Sequence, residues 1–291
     1  MKTIYLIDGY LWSYVAFYAH MGQQLESPSG EPTTGTFIFL KTLFKLLKNY
    51  SPDMLCVCMD SPGRTFRKKL YADYKSSRPE SMPEGILLQM NRIEQILHIM
   101  QIPVFHAPGF EGDDIIGTVA EKASLAGFHS TICTKDKDML QLIQEGVVEV
   151  LDINKDKITG VAEVVEKWGI HPHQFIDFLA FQGDQSDHVP GVHGIGKKKA
   201  VDLLVEWGDA ETAYKNLRAI GGSTAKKLTE GREIFDLSKI LVTIRKDVPL
   251  DINWEDMTVK EFNWVELNSI FQELGFNSLI HAVTNTGRRL F

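Results

Sequence analysis

The chain has 291 residues, 44% of them hydrophobic, which is enough to bury the core of one large domain or two smaller ones. Its 31 Lys and Arg against 38 Asp and Glu give a formal net charge of -7, which argues against indiscriminate binding of polyanions. No apolar run is long enough to cross a bilayer and the N-terminus has no small-residue cleavage site, so we expect a cytoplasmic protein without membrane contact. Cys56, Cys58 and Cys133 lie in apolar stretches without zinc-like spacing and are interpreted as reduced core residues.

Short apolar runs alternate with longer segments of helical period along the first part of the chain. Residues 3–7 predict a strand, and residues 35–50 predict a helix because large apolar residues recur at helical spacing. The alternation continues with predicted strands at 54–59, 102–107, 129–134 and 147–151 and predicted helices at 84–100 and 112–127. This pattern predicts an α/β fold with a mostly parallel sheet and helices on both faces.

After about residue 170 the strand patterns end and amphipathic helical segments follow to the C-terminus. The sequence therefore predicts two domains, an α/β domain over 1–170 and a helical domain over 171–291. No long flexible linker separates them, so we expect the two regions to pack closely.

Carboxylates follow four of the predicted strands. Any one of them could cap a helix or lie in a solvated loop, and the group after the third strand could simply favour the N-terminus of the next helix. In open parallel sheets, however, ligands bind beyond the carboxyl ends of the strands. Four such ends together predict a site formed by Asp8, Asp60, Glu111, Asp113, Asp114, Asp136 and Asp138.

A further pair, Asp184 and Asp187, opens the helical region. Taken alone, this pair is more simply interpreted as an Asx-turn before the Pro-Gly bend that follows. Nine converging carboxylates would repel one another and raise each other's pKa values unless cations were bound. Oxygen ligands without a His or Cys cluster suit Mg²⁺ or Mn²⁺ better than Zn²⁺, and we predict two or more such ions.

Two segments are candidates for binding a polyanion. Residues 61–79 interleave six Lys and Arg with three aromatic residues, a mixture that suits single-stranded nucleic acid, although a solvated helix with buried aromatics remains an alternative. Glycines at 191, 194 and 196 permit a tight hairpin whose backbone N–H groups could hold a phosphate beside Lys197, Lys198 and Lys199. Neither segment has the pattern of a nucleotide-cofactor site.

The motifs as a set resemble the 5′-nuclease domain of bacterial DNA polymerase I and the wider flap-endonuclease family. The matching stretches are IDGY, MDSPGRTFR, YADYKSSR, PGFEGDDIIG, TKDKD, GDQSDHVPGVHGIGKKKA and FQELGFNSL, and they run nearly end to end. The resemblance implies a PIN-like α/β nuclease domain followed by a helical domain with a helix-hairpin-helix element. It also implies divalent-metal-dependent 5′-3′ exonuclease and 5′-flap endonuclease activity on DNA, in replication primer removal and repair.

The resemblance further implies a role for each group of residues. The nine carboxylates correspond to inner or outer ligands of the metal ions. Arg67, Tyr74, Lys75 and Arg78 fall on the segment that receives the 5′ strand near the scissile phosphate. Residues 191–199 match the hairpin that grips duplex DNA, which in relatives can also hold K⁺. The expected substrates are 5′ flaps and nicked or 5′-ended duplexes, RNA-primed ones included, and we expect a monomer.

Two positions depart from the family pattern. Val15 stands where relatives usually carry Arg, which would remove one phosphate contact, and His188 stands where they usually carry Asn, beside Asp187. Neither departure removes a carboxylate, so we expect an active enzyme. Two alternatives stay open: a non-catalytic DNA-junction-binding module, against which the intact carboxylate set argues, and a PIN-like RNA nuclease, against which the Gly-rich hairpin argues.

Overall fold

The computed structural model describes residues 1–18, 25–77 and 83–280. They contain a six-stranded sheet with the order β3-β2-β1-β4-β5-β6. All neighbouring strands are parallel except β5 and β6, which are antiparallel. The predicted mostly parallel sheet is therefore confirmed. The strands are β1 (Thr3–Asp8), β2 (Met54–Cys58), β3 (Val104–Phe105), β4 (His129–Cys133), β5 (Val148–Asp152) and β6 (Lys157–Thr159).

Helices cover both faces of this sheet. Along β1, Ile4 and Leu6 pack into a cluster on one face, whereas Tyr5 and Ile7 pack into a second cluster on the opposite face. Each aliphatic side chain that is fully buried in this way contributes about 1.5–3 kcal/mol to folding. The helices of this region are α1 (Gly9–Tyr18), α2 (Thr34–Tyr50), α3 (Phe66–Leu70), α4 (Glu84–Ile99), α5 (Gly112–Leu125) and α6 (Val161–Trp168), with a 3₁₀ helix at Lys137–Leu142 after β4.

The remainder of the described chain is helical, as predicted. Phe181 and Phe235 from this part belong to the same buried cluster as Ile4 and Leu6, so the core continues across the predicted domain boundary at residue 170. The division into 1–170 and 171–291 thus stays a proposal. The helices are α7 (Phe175–Gln182), α8 (Lys197–Trp207), α9 (Ala210–Lys215), α10 (Leu217–Ile220), α11 (Gly222–Glu230), α12 (Arg232–Val242), α13 (Trp254–Met257) and α14 (Trp264–Glu273), after a 3₁₀ turn at Pro172–Gln174.

The last helix, α14, returns to the face of the sheet that α2 and α4 cover. The ring of Phe271 meets that of Phe44 with centroids 6.3 Å apart, and Phe276 meets Phe37 at 5.3 Å. The C-terminal end of the described chain is thereby fastened to the first region. No helix in the described ranges is long and apolar enough to span a bilayer. The three cysteines are buried and free, as interpreted from their apolar surroundings.

Candidate active site

The strand order brings the predicted carboxylates to one edge of the sheet. Strands β3, β2, β1 and β4 are consecutive neighbours and run parallel, so their carboxyl ends lie side by side. Asp8 is the last residue of β1, Asp60 follows β2, Asp113 lies in the first turn of α5 after β3, and Asp136 and Asp138 follow β4. The geometry therefore gathers side chains that are far apart in sequence into one acidic cluster.

Asp8 is buried and held by two donors. Its Oδ1 accepts a hydrogen bond from the Leu11 backbone N–H at 3.0 Å, and its Oδ2 accepts one from Thr134 Oγ1 at 2.7 Å. Burial, reinforced by the charges of Asp136 and Asp60, nevertheless raises the pKa of Asp8 to about 7. A neighbouring cation would remove this penalty by favouring the charged carboxylate.

Asp113 and Asp138 are buried in the same cluster. Burial raises the pKa of Asp113 well above its ordinary value, and the charges of Asp136 and Asp8 add to the effect. Burial and the charge of Asp136 raise the pKa of Asp138 to about 8. Oδ1 of Asp138 is a buried oxygen to which no group in the described part of the chain donates a hydrogen bond. Buried acceptors usually have a partner, so this oxygen is available to a cation or to a donor from outside the chain.

Asp184 and Asp187 join this cluster from the loop after α7. Asp184 accepts hydrogen bonds from Lys137 Nζ at 2.5 Å and from Ser186 N at 2.8 Å. Although burial opposes it, these bonds lower the pKa of Asp184 below its ordinary value. An open cavity of about 310 Å³ lies between the two parts of the chain and is lined by Leu11, Lys135, Asp136, Lys137, Asp138, Asp184, Ser186 and Asp187.

Lys75 links Glu111 to the loop that carries Asp187. Its Nζ lies 2.9 Å from Glu111 Oε2 and 3.6 Å from Asp187 Oδ2, and its backbone N–H donates to Asp187 O at 2.9 Å. Although burial opposes it, the charges of Lys75 and Arg67 lower the pKa of Glu111. Lys75 has a φ of 51°, in the left-handed region that non-glycine residues seldom adopt. Strained backbone of this kind is concentrated at functional sites.

Tyr74 and Arg67 do not face solvent, in contrast to the predicted contact with a 5′ strand. The Tyr74 ring is buried and its hydroxyl donates to Glu111 Oε2 at 3.0 Å, so the ring is not open to a stacking base as it stands. The Arg67 guanidinium is 2% exposed and donates to Asp114 and to the carbonyls of Leu241 and Thr243. We therefore assign both side chains to holding the site together.

Asp114 differs from the other predicted ligands. Its Oδ1 accepts from Arg67 and from the Arg245 backbone N–H, and its Oδ2 accepts from Arg67 and from the Glu111 backbone N–H. With no solvent exposure and both oxygens engaged, it is a structural partner of Arg67 and not an available ligand. Glu111 and Asp114 also form the capping box of α5, so the charged N-terminus considered from the sequence explains part of this motif.

The Gly-rich hairpin lies between α7 and α8. Gly191 has a φ of 64°, and a Cβ there would meet the Gly183 nitrogen at 2.4 Å, so glycine is required. Gly194 also has a positive φ, whereas Gly196 has an extended backbone with open space around it and no need to be glycine. Lys197, Lys198 and Lys199 are exposed in the first turn of α8, where backbone N–H groups favour an anion.

The structure does not place all the predicted site residues where they could act as predicted. Arg78 lies outside the described residues. Within the described ranges, no three His, Cys, Asp or Glu side chains stand close enough together to hold one metal ion as they are placed. Lys75 and Lys137 instead neutralise Glu111 and Asp184, and burial raises the pKa values of Asp8, Asp113 and Asp138. Joint ligation of an ion would require these side chains to move.

Three contributors to the site were not predicted from the sequence. Thr134 and the Leu11 backbone N–H orient Asp8, and Lys137 pairs with Asp184. The available signal was position, since Thr134 directly follows β4, two residues before Asp136, and Lys137 lies between two predicted ligands. His188, the departure beside Asp187, has a φ of 55° and its Nδ1 lies 3.5 Å from Ser77 Oγ. Asn and His both adopt this left-handed conformation more readily than most residues.

Comparison with protein families gives two adjoining matches. Residues 3–169 match the model described as "5'-3' exonuclease, N-terminal resolvase-like domain", and residues 170–264 match "5'-3' exonuclease, C-terminal SAM fold". Together these matches cover the α/β region and most of the helical region. They agree with a resolvase-like sheet domain followed by a helical domain.

Individual proteins show the same similarity. A 5'-3' exonuclease of Aquifex aeolicus is 36% identical over 291 residues, covering 99% of this chain and 98% of that protein. A DNA polymerase I of Caldicellulosiruptor bescii is 36% identical over 285 residues, covering 96% of this chain but 33% of that protein, so this chain spans about a third of such polymerases. The solved structure of the bacteriophage T5 flap endonuclease in a pseudo-enzyme-product complex with DNA and metal ions aligns with a TM-score of 0.70 at 20% identity, covering 83% of this chain and 89% of that one.

Proposed function

The chain belongs to the 5'-3' exonuclease family, and from that membership we propose that it cuts DNA as a structure-specific 5′-3′ exonuclease and 5′-flap endonuclease. The observation that carries the proposal is the buried carboxylate cluster in which the pKa values of Asp8, Asp113 and Asp138 are all raised. Such a cluster is unfavourable by itself and becomes favourable when cations bind. Primer removal and repair in the cytoplasm are the processes that this activity would serve.

Two or more Mg²⁺ or Mn²⁺ ions fit the donor set. The cluster offers carboxylate oxygens without His or Cys, which hard divalent cations prefer. Oδ1 of Asp138, which lacks a partner among the described residues, supports this fit, with Asp8, Asp60, Asp113, Asp136 and Asp187 as further candidate ligands. Bound ions would lower the pKa of a water, screen the negative charge on the phosphate and assist the leaving 3′ oxygen.

The side chains of the protein divide the remaining tasks. Thr134 Oγ1 and the Leu11 N–H fix the two oxygens of Asp8, so this carboxylate is oriented before substrate arrives. Lys75 places an ammonium group between Glu111 and Asp187 at the edge of the acidic cluster. There it could meet a non-bridging phosphate oxygen and offset charge that develops during hydrolysis. No side chain needs to act as the nucleophile.

In this proposal the Gly-rich hairpin binds the backbone of duplex DNA. Its glycines let the chain turn sharply, and Lys197, Lys198 and Lys199 stand exposed at the start of α8. Cations in this position contact phosphates without reading base sequence. K⁺ at this hairpin, activity on nicked, 5′-ended and RNA-primed duplexes, and action as a monomer belong to the same proposal.

A 5′-labelled flap DNA incubated with and without Mg²⁺ tests the activity directly. Nicked duplex, single-stranded DNA and single-stranded RNA of the same sequence are run in parallel. We expect Mg²⁺-dependent cleavage at the flap junction and at 5′ ends of duplex DNA. Asp113→Asn should lower this cleavage by at least about 100-fold, whereas Asp251→Asn, which removes an exposed carboxylate elsewhere, should not.

The outcomes separate the proposal from its alternatives. Tight flap binding without cleavage under any divalent cation would identify a DNA-junction-binding module. Preferential cleavage of the RNA would identify an RNA nuclease. Either result, obtained with the wild-type protein, would overturn the proposal that the chain is a DNA nuclease.

A further inference from the structure

Lys137 lines the acidic cavity and pairs with a carboxylate from the helical region. It lies in the 3₁₀ helix after β4, between the candidate ligands Asp136 and Asp138, and its Nζ lies 2.5 Å from Asp184 Oδ2. Although burial opposes it, the hydrogen bond to Asp184 and the charges of Asp138 and Asp136 raise the pKa of Lys137. One ammonium group therefore offsets part of the negative charge of three carboxylates.

Asp184 is the fixed member of this pair. Its backbone N–H donates to Val189 O at 3.0 Å, and its carbonyl accepts from Val189 N at 2.8 Å. Its Oδ1 accepts from the backbone N–H of Ser186 at 2.8 Å and from the Ser186 hydroxyl at 2.5 Å, while its Oδ2 accepts from Lys137 Nζ. Departure of the ammonium group would therefore leave the carboxylate in place and release Oδ2.

Lys137 is the movable member of the pair. Its side chain is 38% exposed, against 7% for Asp184, and a lysine carries its charge on a flexible four-carbon stem. Lys75 differs, because its side chain is 16% exposed, its Nζ lies 2.9 Å from Glu111, and the same group lies over the Tyr74 ring at 5.1 Å. The two lysines of the site are thus not equivalent, since Lys75 is enclosed and Lys137 can reach solvent.

A divalent cation and this ammonium group compete for the same oxygen. Burial raises the pKa of Asp138, and the charges of Asp136 and Asp184 add to the effect, so Asp138 and Asp184 lie close enough to interact across the cavity that both line. A cation bound by Asp138 is attracted by the Asp184 carboxylate but repelled by the ammonium group on Oδ2. Asp184 cannot ligate that cation while Lys137 stays paired with it.

The DNA backbone offers the ammonium group a second partner. The cavity is open, with a volume of about 310 Å³, and lysine binds phosphates as a point charge. Resting on the function proposed above, we propose that Lys137 keeps Asp184 from a divalent cation until a substrate phosphate takes over its ammonium group. Asp184 then joins the metal ligands, so that DNA and the ion strengthen each other's binding through this exchange.

Calorimetric titration with Ca²⁺ in the absence of DNA tests the first half of the proposal. Lys137→Met keeps the length of the side chain without its charge and should bind Ca²⁺ about ten-fold more tightly than the wild type, within the usual range for coupled sites. Lys137→Arg retains the ion pair and should bind like the wild type. The matched control is Lys135→Met, which removes an exposed lysine from the same cavity wall and should gain no more than about two-fold.

Flap affinity tests the second half, the exchange itself. Fluorescence anisotropy gives the affinity for a flap DNA in EDTA and at saturating Ca²⁺. Because coupling between two ligands is reciprocal, Ca²⁺ should strengthen flap binding about ten-fold less in Lys137→Met than in the wild type. Simple repulsion between the ammonium group and the ion would instead raise Ca²⁺ affinity with and without DNA alike and leave this strengthening unchanged.

A double variant identifies Asp184 as the oxygen donor. Adding Asp184→Asn to Lys137→Met should return the Ca²⁺ affinity of the free protein to that of the wild type, because the pair is then absent altogether. In the flap complex the same double variant should bind Ca²⁺ about ten-fold less tightly than the wild type, since Asp184 is released there. If Lys137→Met does not fold, as judged by circular dichroism, Lys137→Gln removes the same charge and takes its place in each measurement.

The outcomes distinguish this proposal from the proposed function. A Ca²⁺ affinity of Lys137→Met no higher than that of Lys135→Met would overturn the role of Lys137. Unchanged strengthening of flap binding by Ca²⁺ would overturn the exchange with a phosphate. Either result, with Mg²⁺-dependent flap cleavage by the wild type, leaves the nuclease proposal standing, whereas absence of that cleavage would overturn the proposed function.

Discussion

Arg67 binds Asp114 through two parallel hydrogen bonds, with Nη1 donating to Oδ2 and Nη2 to Oδ1, each at 2.7 Å. The pair is buried, at 2% and 0% side-chain exposure, and Arg67 Nε also donates to the carbonyl of Leu241 at 2.8 Å. These bonds tie α3, α5 and the end of α12 to one another. Since Asp113 lies on α5, one of the elements that the pair joins, the pair positions the acidic cluster without touching substrate.

Replacing Arg67 by Ala should destabilise the fold and not only reduce activity. Removal of one partner leaves the buried Asp114 carboxylate uncompensated, and loss of a buried ion-pair partner costs about 3–5 kcal/mol. Urea unfolding should show this loss in the free energy of unfolding. The matched control is Arg64→Ala, which removes an exposed guanidinium three residues away and should change stability by less than about 0.5 kcal/mol. Equal stability of the two variants would contradict a structural role for Arg67.

The convergence of the carboxylates was predictable from the sequence because it follows from topology. Asp8, Asp60, Asp113 and Asp136 each follow an apolar run, and a parallel sheet places the carboxyl ends of such runs at one edge. No side-chain geometry was needed for this step. The same reasoning could not show which oxygens remain free, since that depends on donors contributed by other parts of the chain.

The environment of Arg67 shows why the side-chain contacts of the site were not predictable from the sequence. In sequence it stands in a basic run with exposed neighbours, and its burial is set by Leu241, 174 residues away. Strand β6 was missed for a different reason, because its three residues are largely exposed at the sheet edge and show no apolar alternation. Helix α1 was missed because apolar residues occur all round it, which hides the helical period.

The stability of the metal-free protein should depend on pH through Asp138. Its pKa is about 8 in the folded protein against an ordinary value of 3.8, so the folded state binds its proton more tightly than the unfolded state. The contribution of this proton to the free energy of unfolding is therefore fully present below the ordinary pKa of Asp138 and is lost as pH rises toward 8. In EDTA, the free energy of unfolding of Asp138→Asn relative to that of the wild type should rise by a few kcal/mol from pH 4 to pH 9. Urea unfolding at both pH values measures this, and a constant difference would reject the raised pKa.

Binding of a divalent cation should release protons at neutral pH. Asp8 and Asp138 have pKa values of about 7 and about 8 in the metal-free protein, so both are at least partly protonated at pH 7, and ligation requires the charged form. Calorimetric titration with Mg²⁺ or Ca²⁺ in two buffers of different ionisation enthalpy should show release of more than one proton at pH 7. At pH 9.5 the release should vanish. Identical heats in the two buffers at pH 7 would show that these carboxylates are not the ligands.

Asp113→Asn should separate cleavage from DNA binding. Asp113 is buried among Asp8 and Asp136, and an amide there removes a negatively charged candidate ligand while leaving the distant hairpin intact. Cleavage of a flap at ordinary Mg²⁺ should fall by at least about 100-fold, as expected when a metal ligand is lost. Flap affinity measured in Ca²⁺ by fluorescence anisotropy should change by less than a few-fold. Near-normal turnover of this variant would show that Asp113 is not a metal ligand.

The two basic elements should affect different steps, because contacts at the cut set the rate whereas remote phosphate contacts set affinity. Lys75 Nζ lies 2.9 Å from Glu111 within the acidic cluster, so Lys75→Met should lower single-turnover cleavage by about 100-fold with little change in affinity. All three lysines are exposed, but Lys197 also lies over the Trp168 ring at 4.4 Å. The double variant Lys198→Ala, Lys199→Ala therefore tests the hairpin with less disturbance of packing. It should weaken duplex binding and reduce the slope of log affinity against log salt by about two. A loss of rate at saturating protein in the hairpin variant, with unchanged affinity, would reverse the assignment of the two elements.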